Sequence, residues 1–386
     1  MAEKSGVIDG LGSRIPPPMR HTETSAWNEQ GNGGKRIANN AAPYGERKHM
    51  EMQSYWMNTV AAEPQIELRR IAVPEPGPGQ ILLKVHAAGL NRGEFIIGHG
   101  LTKAGMVKAI GLDGAGTVVR AGPGVSRFSC GQRVMGRFPG AFSEYALISE
   151  AEALAVPDRL SWEEAAGTPI TYMVAHDMVM EQGGLGAGKW LLITGVSSGV
   201  GTAALQLAKA IGAKVIGTSG SQAKLDALGT HGLDVALCTR DPDFHGAVMQ
   251  ATNGAGANLV INTVGGSVFA ECIRSMAFEG RLATVGYVDG VLHADIDLQA
   301  LHARRLVLFG VSYKQVGDAQ RAAGAARFEH DVLPMLADGR VRSLVGRVFP
   351  FEQLNDAKAY MESNAHLGKV VITVQPPFAS DGIARQ

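Results

Sequence analysis

A glycine-rich segment that follows a short apolar run is the part of the sequence with the clearest chemical meaning. Residues 190–194 predict a buried strand, and Gly195-Val-Ser-Ser-Gly-Val-Gly201 leads from it into a helical pattern. Such a turn brings backbone N–H groups and a helix N-terminus to a phosphate. A strict G-x-G-x-x-G is absent, so the strand–loop–helix context carries the prediction of a dinucleotide site. The residues expected to contact the pyrophosphate are Ser197, Ser198, Gly199, Val200 and Gly201.

The segment after the next predicted strand, residues 214–218, indicates which dinucleotide would bind. NAD sites place Asp or Glu here to bond the ribose 2′-hydroxyl. This chain has no carboxylate before Asp226. Ser219, Lys224 and Arg240 instead offer a hydroxyl and positive charges, which suit a 2′-phosphate. We therefore predict NADP(H) as the cofactor; the alternative is that Lys224 is an ordinary solvated lysine.

These motifs lie in a long alternation of strands and helices. Further strands are predicted at residues 235–237, 258–261, 281–285 and 306–309, and the alternation indicates a parallel sheet covered on both faces. Ligands of such sheets bind at the carboxyl ends of the strands. The residues that we expect there, on the nicotinamide side, are Val264, Gly265, Gly286 and Tyr287. Cys238, which follows the third strand, is expected to be a small buried residue.

The flanking regions have different patterns. Residues 66–148 contain short predicted strands with frequent turn signals, typical of a barrel or sandwich. Ser161-Trp-Glu-Glu164 is a helix capping box, and a final strand at 369–374 is expected to return to the first domain. We predict a disordered extension over 1–51, a β-rich catalytic domain over 52–164 and 317–374, a nucleotide-binding domain over 165–316, and a tail over 375–386, with Met52 as the natural start.

Composition excludes several classes of protein. The 36 basic and 36 acidic residues among 386 give no net charge, which argues against a protein that mainly binds nucleic acid. No apolar run approaches the roughly 18 residues of a membrane span. The three cysteines form no C-x-x-C pair and no disulfide framework. We therefore expect a cytoplasmic protein with a small-molecule substrate and neither nucleic acid nor membrane as partner.

Residues 52–374 resemble the medium-chain dehydrogenase/reductases, and within them the zinc-independent quinone oxidoreductases. The segments that carry the resemblance are Ala88-Gly-Leu-Asn-Arg-Gly-Glu94, Gly111-Leu-Asp-Gly-Ala-Gly116, Gly131-Gln-Arg-Val134, Ser143-Glu-Tyr145, Ala165-Ala-Gly-Thr-Pro-Ile-Thr-Tyr172 and Gly368-Lys-Val-Val-Ile372. The resemblance implies an α/β fold in which a Rossmann doubly wound parallel sheet is inserted into a GroES-like catalytic domain. It also implies a homodimer, for which residues 306–311 are the candidate interface.

The zinc-bearing alcohol dehydrogenases of the same superfamily are the main alternative. They ligate catalytic zinc with a Cys at the position of Asn91 and a His at the position of Leu112, and neither residue here is a zinc ligand. We therefore predict no metal. Because alcohol oxidation then lacks a Lewis acid, the expected reaction is hydride transfer from NADPH to a quinone or an α,β-unsaturated carbonyl.

Individual residues receive roles from the resemblance. Asn91 is expected to orient the nicotinamide ribose or the substrate, and Thr171 to lie near the nicotinamide ring; Glu94 is expected to brace the loop of Asn91. The segment Phe309, Gly310 and Val311 is expected to approach the carboxamide. Tyr287 is the candidate proton donor, with a packed loop tyrosine or a proton from bulk water as the alternatives. A second reading is an NADPH-binding sensor or structural protein with little turnover.

Overall fold

The computed structural model describes residues 50–60, 64–96, 103–313 and 315–374. Most of the predicted extension and the whole predicted tail lie outside these ranges, although Glu51 already belongs to the first strand. None of the helices in the described ranges is both long enough and apolar enough to cross a bilayer.

The strands, in chain order, are β1 Glu51–Asn58, β2 Gln65–Ala72, β3 Gln80–Gly89, β4 Val107–Ala109, β5 Asp113–Ala121, β6 Arg133–Arg137, β7 Tyr145–Ser149, β8 Leu154–Ala155, β9 Trp190–Thr194, β10 Lys214–Ser219, β11 Val235–Cys238, β12 Ala257–Asn262, β13 Met276–Thr284, β14 Val307–Gly310, β15 Val345–Pro350 and β16 Lys369–Thr373. The helices are α1 Trp162–Ala166, α2 Pro169–His176, α3 Gly199–Ala210, α4 Gln222–Gly229, α5 His245–Ala251, α6 Phe269–Arg274, α7 Leu298–Ala303, α8 Asp318–Asp331, α9 Leu333–Asp338 and α10 Leu354–Glu362.

The β-rich domain holds two sheets. One has the strand order β2-β1-β4; the other has the order β15-β16-β3-β5-β6-β8, with β7 also paired to β3. β16 runs antiparallel to β3, so the chain returns after the nucleotide-binding domain to the larger sheet of the β-rich domain. The side chains of Ile81, Leu83 and Val85 on β3 are fully buried in the core between the layers.

The nucleotide-binding domain is a six-stranded parallel sheet with the order β11-β10-β9-β12-β13-β14. The central strand β9 buries Leu191, Leu192 and Ile193 completely, because helices cover both faces. The strand order reverses between β9 and β12, and ligands of such sheets bind beside that point. This arrangement, together with the β-rich domain, confirms the predicted fold class; the domain boundaries themselves stay predictions.

Two local expectations have definite outcomes. The capping box of α1 is confirmed: Ser161 Oγ accepts from the backbone N–H of Glu164, whose carboxylate in turn accepts from the Ser161 N–H. The expectation for Cys238 was wrong, because its side chain is exposed. β11 is an edge strand whose residues alternate between partly buried and exposed, so an apolar run there does not imply full burial.

Candidate functional site

The glycine loop forms a tight turn between β9 and α3. Gly195 has φ +69°, and Ser198 caps α3 by accepting from the Gly201 N–H at 3.1 Å. A Cβ on Gly201 would lie 2.6 Å from the Gly195 carbonyl oxygen, so no side chain fits there. The loop therefore has the close backbone packing and the capped helix N-terminus that a pyrophosphate site requires.

The residues predicted to hold a 2′-phosphate surround the carboxyl end of β10. The Ser219 hydroxyl lies 3.2 Å from the Ser197 hydroxyl. Arg240 packs against Gly220, with its Cζ 2.7 Å from the position that a Cβ on Gly220 would occupy. Lys224 Nζ donates to the Asn364 carbonyl at 2.6 Å. Burial, followed by the charge of Arg240, lowers the pKa of Lys224. Hydroxyl groups and two cations are thus gathered at this strand end.

The predicted nicotinamide-side residues lie at the ends of the next strands. The backbone N–H groups of Val264 and Gly265 donate to Asn262 Oδ1 at 3.0 and 3.1 Å. Val311 donates its N–H to the Thr284 carbonyl at 3.0 Å, which places the segment after β14 beside the end of β13. The predicted residues that follow β12, β13 and β14 therefore lie together at the carboxyl ends of these strands.

Tyr287, also after β13, is 38% exposed. It lines an apolar cavity of about 410 Å³ together with Gly265, Gly286 and Leu292. The walls of this cavity include neither Asn91 nor Thr171. Tyr287 thus lies beside Gly265 and Gly286, two of the predicted nicotinamide-side residues.

Asn91 lies in a cluster of buried polar groups. Its Nδ2 donates to Glu94 Oε1 at 2.7 Å and to Asp113 Oδ2 at 3.3 Å. Lys369 Nζ donates to Asn91 Oδ1 at 2.8 Å and to Asp113 Oδ2 at 3.0 Å. Both N–H groups of the Asn91 carboxamide are therefore engaged within the protein, and only its oxygen keeps a second lone pair for another group. The bond to Glu94 agrees with the expected bracing role of that residue.

Burial changes the acidity of this cluster. Glu94 is 3% exposed and Asp113 is fully buried. Desolvation raises the pKa of Glu94 to about 7, although the hydrogen bond from Asn91 opposes the shift. Charged carboxylates are costly in a dry interior unless they are paired. Glu94 is therefore a group that gains or loses a proton near neutral pH.

The Asn91 cluster and the glycine loop are in contact. Ser198 and Gly368 form a parallel β-bridge, and the Gly368 N–H donates to the Ser197 carbonyl at 3.0 Å. A Cβ on Gly199 would lie 3.0 Å from Lys369 Cδ and 3.3 Å from Thr171 Cγ2. The structure thus brings Asn91, Thr171 and the dinucleotide loop together around Lys369.

Lys369 and Asp113 are members of this site that were not among the predicted site residues. In the sequence, both residues stood out only as parts of segments that carry the resemblance, Gly368–Ile372 and Gly111–Gly116. The available signal was a lysine that opens an otherwise apolar strand, where a long cation needs a buried partner.

Among the residues that the structure describes, one group of metal-capable side chains is found: His176, Glu181 and Asp331, whose ligand atoms lie within 4.8 Å of one another. His176 Nε2 bonds Asp331 Oδ2 at 2.8 Å. Glu181 Oε2 forms an ion pair with Arg327 Nε at 2.7 Å. Each carboxylate therefore already has a cationic or imidazole partner. These residues belong to α2, the π-helical turn after it, and α8.

Two family models match two separate segments of the chain. The alcohol dehydrogenase GroES-like domain covers residues 77–158, and the zinc-binding dehydrogenase model covers residues 199–327. A solved NAD-dependent alcohol dehydrogenase is 28% identical, with a TM-score of 0.73 over 84% of this chain and 100% of the other. The chain belongs to the medium-chain dehydrogenase/reductase superfamily.

Other members of the superfamily extend the comparison. A mycobacterial protein solved in complex with NADPH is 25% identical, with a TM-score of 0.73 over 83% of this chain and 99% of that one. The CurK enoyl reductase is 23% identical with a TM-score of 0.74 over 83% and 99%, which shows a shared fold. A highly reducing polyketide synthase of Arthrinium phaeospermum is 30% identical over 325 residues. That match covers 81% of this chain but only 13% of the synthase.

Proposed function

We propose that this protein is an NADPH-dependent, metal-free reductase that transfers hydride to an α,β-unsaturated carbonyl, with a quinone as the second acceptor class. The observation that carries the proposal is the contact between the dinucleotide loop and the buried Asn91 cluster, made through Gly368 and Lys369. It joins a nucleotide-binding edge to the polar groups that a reduced acceptor needs nearby.

The residues at the predicted pyrophosphate and 2′-phosphate positions are of types that can bind NADPH. The turn around Gly201 has no space for a side chain, as a pyrophosphate loop requires, and Ser219, Lys224 and Arg240 offer a hydroxyl and two cations for a 2′-phosphate. NADPH supplies the hydride when bound. The protein's part is to hold the cofactor between Thr171 and the ends of β12–β14, and to exclude water from the buried cluster.

Metal-free chemistry is supported by the groups around Asn91. The Lys369 ammonium already bonds Asn91 Oδ1, Asp113 Oδ2 and the Leu90 carbonyl, so the oxygen atoms that could attract a divalent cation have a cationic partner. Leu112 offers no ligand atom. Without a Lewis acid, an acceptor that is already polarised is the easier substrate, although the matching family model is described as zinc-binding.

The residue roles follow from the contacts. The free lone pair of Asn91 Oδ1 would accept from a ribose or substrate hydroxyl, and Thr171 would contact the nicotinamide side. The enolate or hydroquinone anion left by hydride transfer needs a proton; Tyr287 and bulk water are the two candidate sources.

The relatives favour the unsaturated carbonyl over the quinone. A curated relative of this chain is a highly reducing polyketide synthase, and a structural neighbour is described as an enoyl reductase. An enoyl thioester is an activated alkene of the proposed class. We therefore rank an enoyl thioester or an acyclic enone ahead of a quinone.

The first test follows NADPH oxidation at 340 nm by EDTA-treated protein with an enoyl thioester, an acyclic enone and a small quinone in parallel. We expect turnover that needs no added metal and is fastest with an unsaturated carbonyl. Faster quinone reduction would reverse the ranking of acceptors. Activity that returns only with stoichiometric zinc would overturn the metal-free proposal, and NADPH binding without any turnover would favour the sensor reading.

Cofactor choice is tested separately by Lys224→Met, with the exposed Lys189→Met, just before β9 and at the opposite end of the sheet, as the matched control. Losing one phosphate partner should raise the dissociation constant for NADPH about tenfold, which corresponds to ~1.4 kcal/mol, and leave that for NADH within about twofold. Cofactor fluorescence titration gives both constants. Equal weakening for the two cofactors would argue against a 2′-phosphate role.

A further inference from the structure

Lys369 is a buried lysine that contacts both the Asn91 loop and the dinucleotide loop. Its ammonium donates to three oxygen atoms: the Leu90 carbonyl at 3.0 Å, Asn91 Oδ1 at 2.8 Å and Asp113 Oδ2 at 3.0 Å. These three donors are all that a lysine has. Lys369 is 4% exposed, so the ammonium serves the protein's own groups and is not a surface charge.

The carboxylate on the other side of this pair is also fully engaged. Asp113 Oδ1 accepts from the Ile170 N–H at 2.8 Å at the start of α2, while Oδ2 accepts from Lys369 and from Asn91. The ion pair thereby fixes three segments at once: the Asn91 loop, the first turn of α2 that carries Thr171, and the start of β16.

The aliphatic stem of Lys369 makes the remaining connection. It passes within 3.0 Å of the Cβ position of Gly199, the first residue of α3, and Cε lies 3.1 Å from the Cβ position of Gly89. A larger residue at either glycine would meet the stem. Lys369 thus fills the narrow space between the dinucleotide loop and the Asn91 loop.

We propose that Lys369 is a positioning residue that replaces a catalytic metal ion: its ammonium fixes the Asn91 carboxamide, and its stem fixes that carboxamide relative to the dinucleotide loop. This inference rests on the proposed function for its catalytic consequence. The orientation of Asn91 follows directly, because Oδ1 faces the ammonium while Nδ2 faces the two carboxylates. Loss of the ammonium would let the amide turn and would remove its defined acceptor oxygen.

Glu94 provides an independent measure of the same contact. It faces Asp113 on β5, Lys369 on β16, Lys108 on β4 and Arg137 on β6. The positive charge of Lys369 lowers the pKa of Glu94, against the larger effect of burial. Removing that charge alone must therefore move the ionisation of Glu94 to higher pH.

The test uses two variants, because Lys369→Met by itself leaves Asp113 buried without its cation. The double variant Lys369→Met/Asp113→Asn removes both charges and keeps similar volumes, so that no unpaired charge is left in the interior. The matched control is Lys209→Met/Asp234→Asn. That pair, at 2.8 Å, also includes a carboxylate that accepts from a backbone N–H, at Val215, and it lies outside the site.

The folded double variant should bind NADPH with a dissociation constant within about threefold of the wild type, yet lose at least tenfold in kcat with little change in the acceptor KM. The control should match the wild type in its NADPH dissociation constant, its kcat and its acceptor KM. Unchanged kcat in a folded double variant would overturn the proposal. So would an equal loss in the control, since that would reflect general destabilisation.

The second readout does not need turnover. The pH dependence of thermal stability of Lys369→Met, compared with the same variant carrying Glu94→Gln, should reveal an ionisation of Glu94 at higher pH than in the wild type. An unchanged midpoint would contradict the ammonium's contact with this cluster. If the wild type binds NADPH but reduces no acceptor, the proposed function fails, while this midpoint still decides whether Lys369 controls the cluster.

Discussion

At the scale of single residues, the site depends on a small number of buried charges. Glu94 and Asp113 carry two negative charges when ionised, and the Lys369 ammonium balances one of them. Because charges in a dry interior are costly, the cluster has a reason to keep a proton on Glu94. Its pKa of about 7 means that the protonation state of the site changes in the physiological range.

This leads to a prediction for stability against pH. The pKa of Glu94 is raised in the folded state from 4.5 to about 7. The stability that protonated Glu94 contributes is therefore fully present below pH 4.5 and is lost as the pH rises through 7. Glu94→Gln removes this dependence and keeps an acceptor for Asn91. From pH 4.5 to 7.5, the free energy of unfolding of Glu94→Gln should therefore rise by about 3 kcal/mol relative to that of the wild type.

Urea unfolding at several pH values measures the effect. Glu362→Gln is the control, because Glu362 is a surface partner of Lys358 on α10. The control should follow the wild type across the whole range. A constant offset between Glu94→Gln and the wild type would show that Glu94 keeps its usual acidity.

At the scale of elements, two helices close to the site, α1 and α3, begin with a serine cap. Ser198 caps α3 at the dinucleotide loop, and Ser161 caps α1 before the segment that leads to Thr171. The two caps use the same chemistry, a side-chain oxygen that accepts from a backbone N–H three residues later. They differ in position, since only the first lies where a pyrophosphate is proposed.

Paired alanine substitutions separate the two roles. Ser198→Ala and Ser161→Ala should each lower the free energy of unfolding by about 1 kcal/mol, the usual cost of a lost cap. Only Ser198→Ala should also weaken NADPH binding, by several-fold, because the N-terminus of α3 loses its order. Chemical denaturation and fluorescence titration give the two values. Equal NADPH affinity in both variants would mean that the cap contributes to folding alone.

At the scale of the whole molecule, β14 forms an edge of the six-stranded sheet. Apolar side chains of β14 and of the segment between β13 and β14 are exposed: Val288 by 62%, Leu292 by 66%, Leu298 by 71% and Val307 by 38%. Unpaired edges and apolar patches of this kind are typical of association surfaces. We propose that two copies of the chain pair here, as the resemblance to the superfamily implies.

A charge on this edge should disrupt such a pairing. Val307→Lys is expected to convert a dimer to a monomer in analytical ultracentrifugation at micromolar concentration, because a lysine repels its symmetry mate and is costly to desolvate. Leu68→Lys is the control, since Leu68 is 44% exposed on β2, which ends a different sheet. A dimer that survives Val307→Lys but not Leu68→Lys would place the interface on the β-rich domain.

Several features could be derived from the sequence because they depend on local order. The alternation of strands and helices indicates a parallel sheet, the Gly195–Gly201 segment indicates where a dinucleotide binds, and the Ser161 and Glu164 pair indicates a helix start. Each rests on neighbouring residues or on a short period, which the chain order alone determines.

Only the tertiary structure decided which distant residues share the site. Lys369 reaches Asn91 and Asp113 across separations of 278 and 256 residues, and Asn364 reaches Lys224 from the other domain. Cys238, in contrast, is exposed because β11 lies at the sheet edge. Such contacts follow from the return of β16 to β3 and from strand order. Both are properties of non-local pairing, which no short sequence pattern encodes.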